Sequence, residues 1–188
     1  MVGIGVAAIV LLVGIGTCVS YNGLVSKDQA VKAQWAQVEN VYQRRADLVP
    51  NLVATVKGAA DFEKSTLIAV TEARSRVGQL AARPERLQEY QQAQGELGTA
   101  LSRLLVVAEA YPTLTATQGF RDLQAQLEGT ENRIAVERMR FNDAARAFNS
   151  KRASFPTSIV AGLFGSRFAE KPYFAAQAGA AQVPKVQF

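Results

Sequence analysis

Residues 31 to 56 read VKAQWAQVENVYQRRADLVPNLVATV, and the spacing of the core-type positions in this stretch decides the fold class. Val31, Trp35, Val38, Tyr42, Arg45, Val49, Leu52 and Val56 follow one another at steps of four or three only. A stripe of that period lies on one face of an α-helix and packs at a shallow angle against other helices; a strand would alternate every second residue. The register carries through Pro50, so this proline is expected to kink the helix rather than end it.

The same period continues downstream. Leu67, Val70, Val77 and Leu80 mark a second helix. Leu87, Tyr90, Gln94, Leu97, Leu101, Leu104, Ala108 and Tyr111 mark a third, and Phe120, Leu123, Leu127, Thr130, Ile134, Phe141, Ala145, Phe148 and Phe155 a fourth. Breaks are expected at Gly58-Ala59-Ala60, before Pro84, at Pro112 and at Pro156, because the residue preceding a proline disfavours helix. Thr113, Thr115 and Thr117 offer capping hydroxyls for the fourth helix. Connections as short as 82–85 and 112–118 require antiparallel neighbours, so the pattern predicts an all-α fold, a long antiparallel up-and-down four-helix bundle. Val183 to Phe188 is the one stretch with a strand-like alternation.

Upstream, Val2 to Val19 (VGIGVAAIVLLVGIGTCV) holds 18 residues without a charge or a proline. As a helix it rises about 27 Å, close to the thickness of a hydrocarbon core. Tyr21 follows at headgroup level, and the first charges of the chain are Lys27 and Asp28. The reading is a single-pass N-terminal transmembrane anchor. A cleaved signal peptide would want a basic start and a small-x-small cleavage site, and a lipoprotein would want a better small-residue triplet before Cys18. Gly3/Ala7 and Gly14/Cys18 have the small-xxx-small spacing that lets membrane helices pack closely. Lys27 and Lys32 flank the anchor only on its C-terminal side, which favours the bulk of the chain in the cytoplasm. The chain thus divides into an anchor (1–20), a helical bundle (21–155) and a tail (156–188). The tail's apolar run from Ile159 to Gly165 is too short to span, and it is expected either to pack on the bundle or to lie in the membrane interface.

Composition narrows the chemistry. The chain has 188 residues, no histidine and a single cysteine, which removes Ser-His-Asp and Cys-His catalysis, His-containing zinc sites and internal disulfides. The net charge is +5, of which only +3 falls between Leu24 and Ser154, spread over the helices there without a basic stripe interleaved with aromatics, so membrane lipid is the expected electrostatic partner and nucleic acid is not. No cofactor or metal is expected. Glu128, Glu131, Glu137 and Asp143 share one helix, but Arg133, Arg138 and Arg140 intervene, which suggests ion pairs on a solvated face rather than acid and base groups. Arg45 sits at a seam position and must either reach outward or meet a carboxylate on a facing helix, namely Glu109, Glu128 or Glu131. A register-setting polar layer is the plainer reading and a partner or ligand site the sharper one. Asn132, Asn142 and Asn149 are expected to hydrogen-bond between helices.

Several motifs together resemble the bacterial LemA family: Tyr21-Asn22-Gly23-Leu24-Val25, Trp35, Arg44 to Val53 (RRADLVPNLV), Thr71-Glu72-Ala73-Arg74, Glu109-Ala110-Tyr111-Pro112, Leu127 to Ile134 (LEGTENRI), Arg140 to Ala144 (RFNDA), Phe155-Pro156, Pro172-Tyr173-Phe174 and Pro184 to Phe188. The resemblance implies one membrane helix followed by a long helical bundle, with no recognised active site. It marks Trp35, Arg44, Arg45, Asp47, Pro50, Asn51, Glu109, Tyr111, Glu131, Asn132, Arg133 and Asn142 as structural or interaction positions. Family members often have histidine where this chain has Phe62, a departure that tells against a metal or protonation role there. The functional expectation is a non-enzymatic, self-associating scaffold of the bacterial inner membrane that shapes or organises it. The alternative is an adapter that binds another envelope membrane protein.

Overall fold

A computed structural model describes residues 2–58, 62–80 and 86–175. Four long helices carry the architecture: α1 (Val2–Lys57), α2 (Lys64–Gln79), α3 (Leu87–Ala108) and α5 (Gln118–Ala153). A single-turn α4 (Pro112–Thr115) lies in the connection expected to be a plain loop, and its Leu114 plugs the end of the core. α6 (Thr157–Leu163) and a 3-10 turn at Gly165–Phe168 open the tail. Among the described residues there is no strand, and the strand candidate at 183–188 lies outside them.

Cross-helix contacts fix the directions. From Trp35 on Phe141 (ring centroids 5.5 Å) to Arg45 on Glu131, α1 and α5 run antiparallel. Glu63 with Arg103 (3.6 Å) and Arg76 with Glu96 (3.0 Å) do the same for α2 and α3. Trp35 and Tyr42 both meet Tyr90 (6.0 and 5.4 Å) while Arg45 meets Gln94, so α1 and α3 are parallel. This is the up-and-down order that short connections impose.

The anchor and the first bundle helix are one element, because α1 passes residue 20 without interruption. Between Val2 and Val19 no side chain is buried, and a Cβ added at Gly3, Gly5, Gly14 or Gly16 would meet nothing within 4 Å. From Leu24 onward the seam turns inward, and every seam residue from Val31 to Val56, Arg45 included, is buried.

Pro50 is passed in the same way. A proline cannot donate to the carbonyl four residues back, here Ala46, and that oxygen accepts instead from Arg74 Nε of α2 at 3.0 Å. The missing backbone bond thereby becomes a link between two helices.

One expected seam residue is misplaced by the sequence pattern. Phe155 is 81% exposed, because α5 ends at Ala153 and the extended Ser154 turns the chain away from the seam before Phe155 is reached. Of the three threonines, Thr117 caps α5, its hydroxyl accepting from the Phe120 amide (3.4 Å).

Candidate functional site

The buried side chains form two clusters, one above and one below Arg45. On the anchor side Leu24, Val31, Trp35, Val38, Tyr42, Leu87, Tyr90, Ile134, Phe141 and Phe148 pack with Val160, Phe168 and Phe174 of the tail. On the far side the cluster is almost wholly aliphatic, from Leu48, Val49, Leu52 and Val56 to Leu97, Leu101, Leu104 and Leu127. Arg45 enters between them with its side chain only 4% exposed. A buried guanidinium is tolerated only when paired and hydrogen-bonded. Arg45 donates to the Glu131 carboxylate, to the Gln94 side-chain oxygen and to the Gln94 backbone carbonyl (2.9 Å), and it stacks over the Tyr42 ring at 5.4 Å.

Of the three carboxylates expected as partners, Glu131 is the one in place. Glu109 is exposed near the far end of α3, and Glu128 is exposed, accepting from Gln124 at 3.1 Å. The contribution of Gln94 was hidden because glutamine at a seam position reads as a simple polar interruption; its lying level with Arg45 was the available signal. Burial pushes the Tyr42 and Tyr90 phenols above their ordinary value, and for Tyr42 this outweighs the nearby positive charges of Arg138 and Arg45.

The Arg45 layer opens sideways into a groove of about 1220 Å³ between α3 and α5, lined among others by Gln91, Gly95, Gly98, Glu128, Asn132 and Arg138. The absence of side chains at Gly95 and Gly98 deepens it, and the Arg45 guanidinium lies 3.7 Å from where a Cβ on Gly98 would stand. Chemically the groove offers amides, two arginines (Arg45 and Arg138) and two glutamates (Glu128 and Glu131) rather than an acid and base pair. Glu137 and Asp143 are engaged locally, with Arg140 (2.8 Å) and Arg146 (3.4 Å), as expected for ion pairs along one helix.

Asn142 and Asn149 do not bridge helices, contrary to expectation; they hold the tail. Asn149 donates to the Lys171 carbonyl (2.9 Å) and accepts from its amide (2.9 Å). Asn142 treats Phe174 alike (3.1 and 2.8 Å), as does Gln91 with Ala175 (3.1 and 3.3 Å). An extended segment has no internal backbone partners, and a side-chain amide, with one donor face and one acceptor, satisfies both groups of one residue. Arg138 adds a bond to the Ala175 carbonyl (2.8 Å) and covers the Phe174 ring at 4.9 Å. Asp28, half a bundle away from Arg45, pairs with Lys171 (2.6 Å) and Lys32 (2.8 Å). Partial burial raises its carboxyl, but the two ammonium groups outweigh that and leave it below the ordinary 3.8.

The remaining sequence candidates fall into three groups. Trp35 is buried in the anchor-side core against Tyr90, Phe141 and Phe174, and Tyr111 is half-buried with its ring 5.0 Å from that of Phe62. Arg44, Asp47, Pro50, Asn51, Asn132 and Arg133 are exposed, with Asp47 accepting from Gln43 at 2.8 Å. In the anchor, Gly3, Ala7, Gly14 and Cys18 lie on an open helix surface.

Comparison with known proteins finds relatives of this chain. The chain is 27% identical to magnetosome proteins MamQ 1 and MamQ 2 of Paramagnetospirillum magneticum, and 26% identical to magnetosome protein MamQ of Magnetospirillum gryphiswaldense. Each match runs over 178 positions, covering 81% of this chain and 65% of the relative, so the chain spans about two thirds of their length. A family model matches residues 34–188, which takes in the Arg45 layer, the Pro50 crossing and the amide-held tail, and the chain belongs to the LemA family.

Proposed function

We propose that this protein is a non-enzymatic, membrane-anchored scaffold that self-associates in the bacterial inner membrane, with its bundle on the cytoplasmic side. The observation that carries the reading is α1. One helix of 56 residues runs from an entirely unburied apolar segment into the centre of the bundle, so about 80 Å of rigid rod joins membrane and core without a hinge. A rod of this kind transmits position and orientation, and the close-packing surfaces at Gly3/Ala7 and Gly14/Cys18 give neighbouring anchors a place to meet. Similarity to proteins named as magnetosome proteins supports a membrane-associated role. Lys27 and Lys32 on the bundle side support the cytoplasmic placement.

The test is the mass of the full-length protein extracted in mild detergent. Oligomers that weaken on Gly3→Ile and Gly14→Ile substitution are expected; a strictly monomeric wild-type particle contradicts self-association. A second reading, an adapter for another envelope membrane protein, is favoured by the open α3 and α5 groove. Crosslinking in cells from Asn132 on its rim separates the two, with products between copies supporting the scaffold and one dominant foreign product supporting the adapter.

A further inference from the structure

The tail has two apolar faces, and the bundle uses only one. α6 buries Thr157, Val160 and Ala161 against the protein. On its other side Ile159 is 58% exposed and Leu163 76%, flanked by Phe155 at 81% and Phe164 at 46%. Four large apolar side chains on and directly beside one short helix form an exposed patch that water solvates poorly.

The position of the patch along α1 says what covers it. Phe164 packs against Tyr21 with ring centroids 4.9 Å apart and the planes tilted by 54°, and Phe168 meets the same ring edge-on at 5.5 Å. Tyr21 is two residues beyond Val19, the end of the apolar segment. The headgroup layer is roughly 5–7 Å deep on each side of the hydrocarbon, or about four helical residues, so Tyr21 and anything packed on it lie within that layer when α1 crosses the bilayer. Cations stand at the same height: Arg167 sits over the Tyr21 ring at 5.6 Å, and the Lys151 stem passes within 3.3 Å of where a Cβ on Gly23 would be. Apolar side chains facing outward, an aromatic belt and lysine or arginine at the rim are what a surface-lying segment presents to lipid.

We propose that α6 and its flanking residues seat on the same bilayer that holds the anchor, with Phe155, Ile159, Leu163 and Phe164 inserted at the boundary between headgroups and acyl chains. This rests on α1 spanning the membrane. It gives the molecule a second point of attachment beside the first, so the bundle is fixed in rotation about α1 as well as in height. The sequence alone left the tail either on the bundle or in the interface; the two faces of α6 allow both at once.

The test uses full-length protein carrying Cys18→Ser, reconstituted into vesicles of phosphatidylethanolamine and phosphatidylglycerol, with a nitroxide attached in turn at Leu11→Cys, Leu163→Cys and Met139→Cys. All three side chains are exposed, so labelling leaves the core intact. Collision with oxygen, which partitions into lipid, is compared with collision with a water-soluble nickel complex. The expected result is an oxygen preference strongest at Leu11 and clear at Leu163, with the ratio of oxygen to nickel collisions at Leu163 several-fold above that at Met139, where water-soluble nickel dominates. A Leu163 label as water-accessible as Met139, with Leu11 still deep, overturns the proposal and leaves the anchor standing. A Leu163 label shielded from both reagents and broadened by a neighbouring spin shows a second copy on the patch and also overturns it. A Leu11 label outside lipid removes the spanning reading, and the proposal with it.

Discussion

The two halves of the bundle solve the same packing problem with different materials. The far half closes around α1 with α2, α3 and α5, and apart from Phe120 it fills its interior with leucine, valine and alanine. The anchor-side half is enclosed chiefly by α1, α5 and the tail, and it is filled by rings: Trp35, Tyr42, Tyr90, Phe141, Phe148, Phe168 and Phe174. The difference follows from reach. α2 ends at Gln79 and α3 begins at Leu87, with Arg74 level with Ala46 and Tyr90 level with Trp35, so the α2 and α3 pair stops short of the first part of α1. An extended tail is thinner than a helix pair, and bulky aromatic side chains make up the volume. Periodic helices complete one half by themselves; the other is completed by a segment whose backbone must be satisfied by side chains.

The comparison can be broken most severely from the inside. Phe141 is fully buried between Trp35 and Phe174 (5.5 and 5.3 Å), and Phe141→Ala is expected to cost about 3–5 kcal/mol in urea unfolding, with loss of tail docking. Leu104→Ala is expected to cost about 2–5 kcal/mol while leaving the tail in place. Next comes the layer between the halves. Arg45 is the buried member of the pair and Glu131 is 48% exposed, so Arg45→Met removes the buried charge and leaves a carboxylate that water solvates; it is expected to melt at or above the wild-type temperature, whereas Glu131→Gln, which strips the partner from a buried charge, melts lower. If Arg45→Met preserves assembly, the layer sets register only; if assembly is lost from a more stable bundle, Arg45 belongs to an interaction site.

A smaller effect concerns the join of α1 to α2. Arg74→Ala should cost about 1 kcal/mol, and nearly nothing when Pro50→Ala restores the amide that Ala46 lacks. The smallest is acidity. The Asp28 carboxyl is held below its ordinary 3.8, so its pairing stabilises the docked tail fully above that value and is lost as pH falls through the lower folded one. Tail docking, followed by tyrosine and tryptophan fluorescence, is therefore expected to weaken below about pH 4 before the far half unfolds, and Asp28→Asn should remove that step.

How much of this was legible in the sequence varies along the same axis. In the far half the three-and-four spacing gave most of the buried residues, because helix packed on helix depends on one repeating face; Leu48, Ala73, Ala93 and Leu114, which lie beside the stripe or in the short α4, were outside it. The stripe also located Arg45 as the exception, and charge arithmetic reduced its partner to three glutamates, of which geometry selects Glu131. In the anchor-side half the pattern misled at Phe155, since periodicity continues past a helix end that Ser154 imposes. Asn142 and Asn149 were visible as hydrogen-bonding residues, but nothing in their spacing said that their partners were backbone groups 32 and 22 positions later, respectively. Extended segments bonded by side chains have no period to read. The Arg74 link to Ala46 was similarly out of reach, being a contact between a proline's absence of a donor and a side chain on another helix.

The central claim is that the tail is a structural part of the anchor-side half and not of the far half. Native-state hydrogen exchange on the full-length protein in lipid nanodiscs tests it, comparing wild type with the Asn142→Ala, Asn149→Ala double variant. The prediction is faster exchange in α1 residues 24–38 and α5 residues 141–153, with amides at 48–56 and 97–108 unchanged, because local opening is confined to the contacts removed. Equal acceleration in both halves, or none in either, would contradict it.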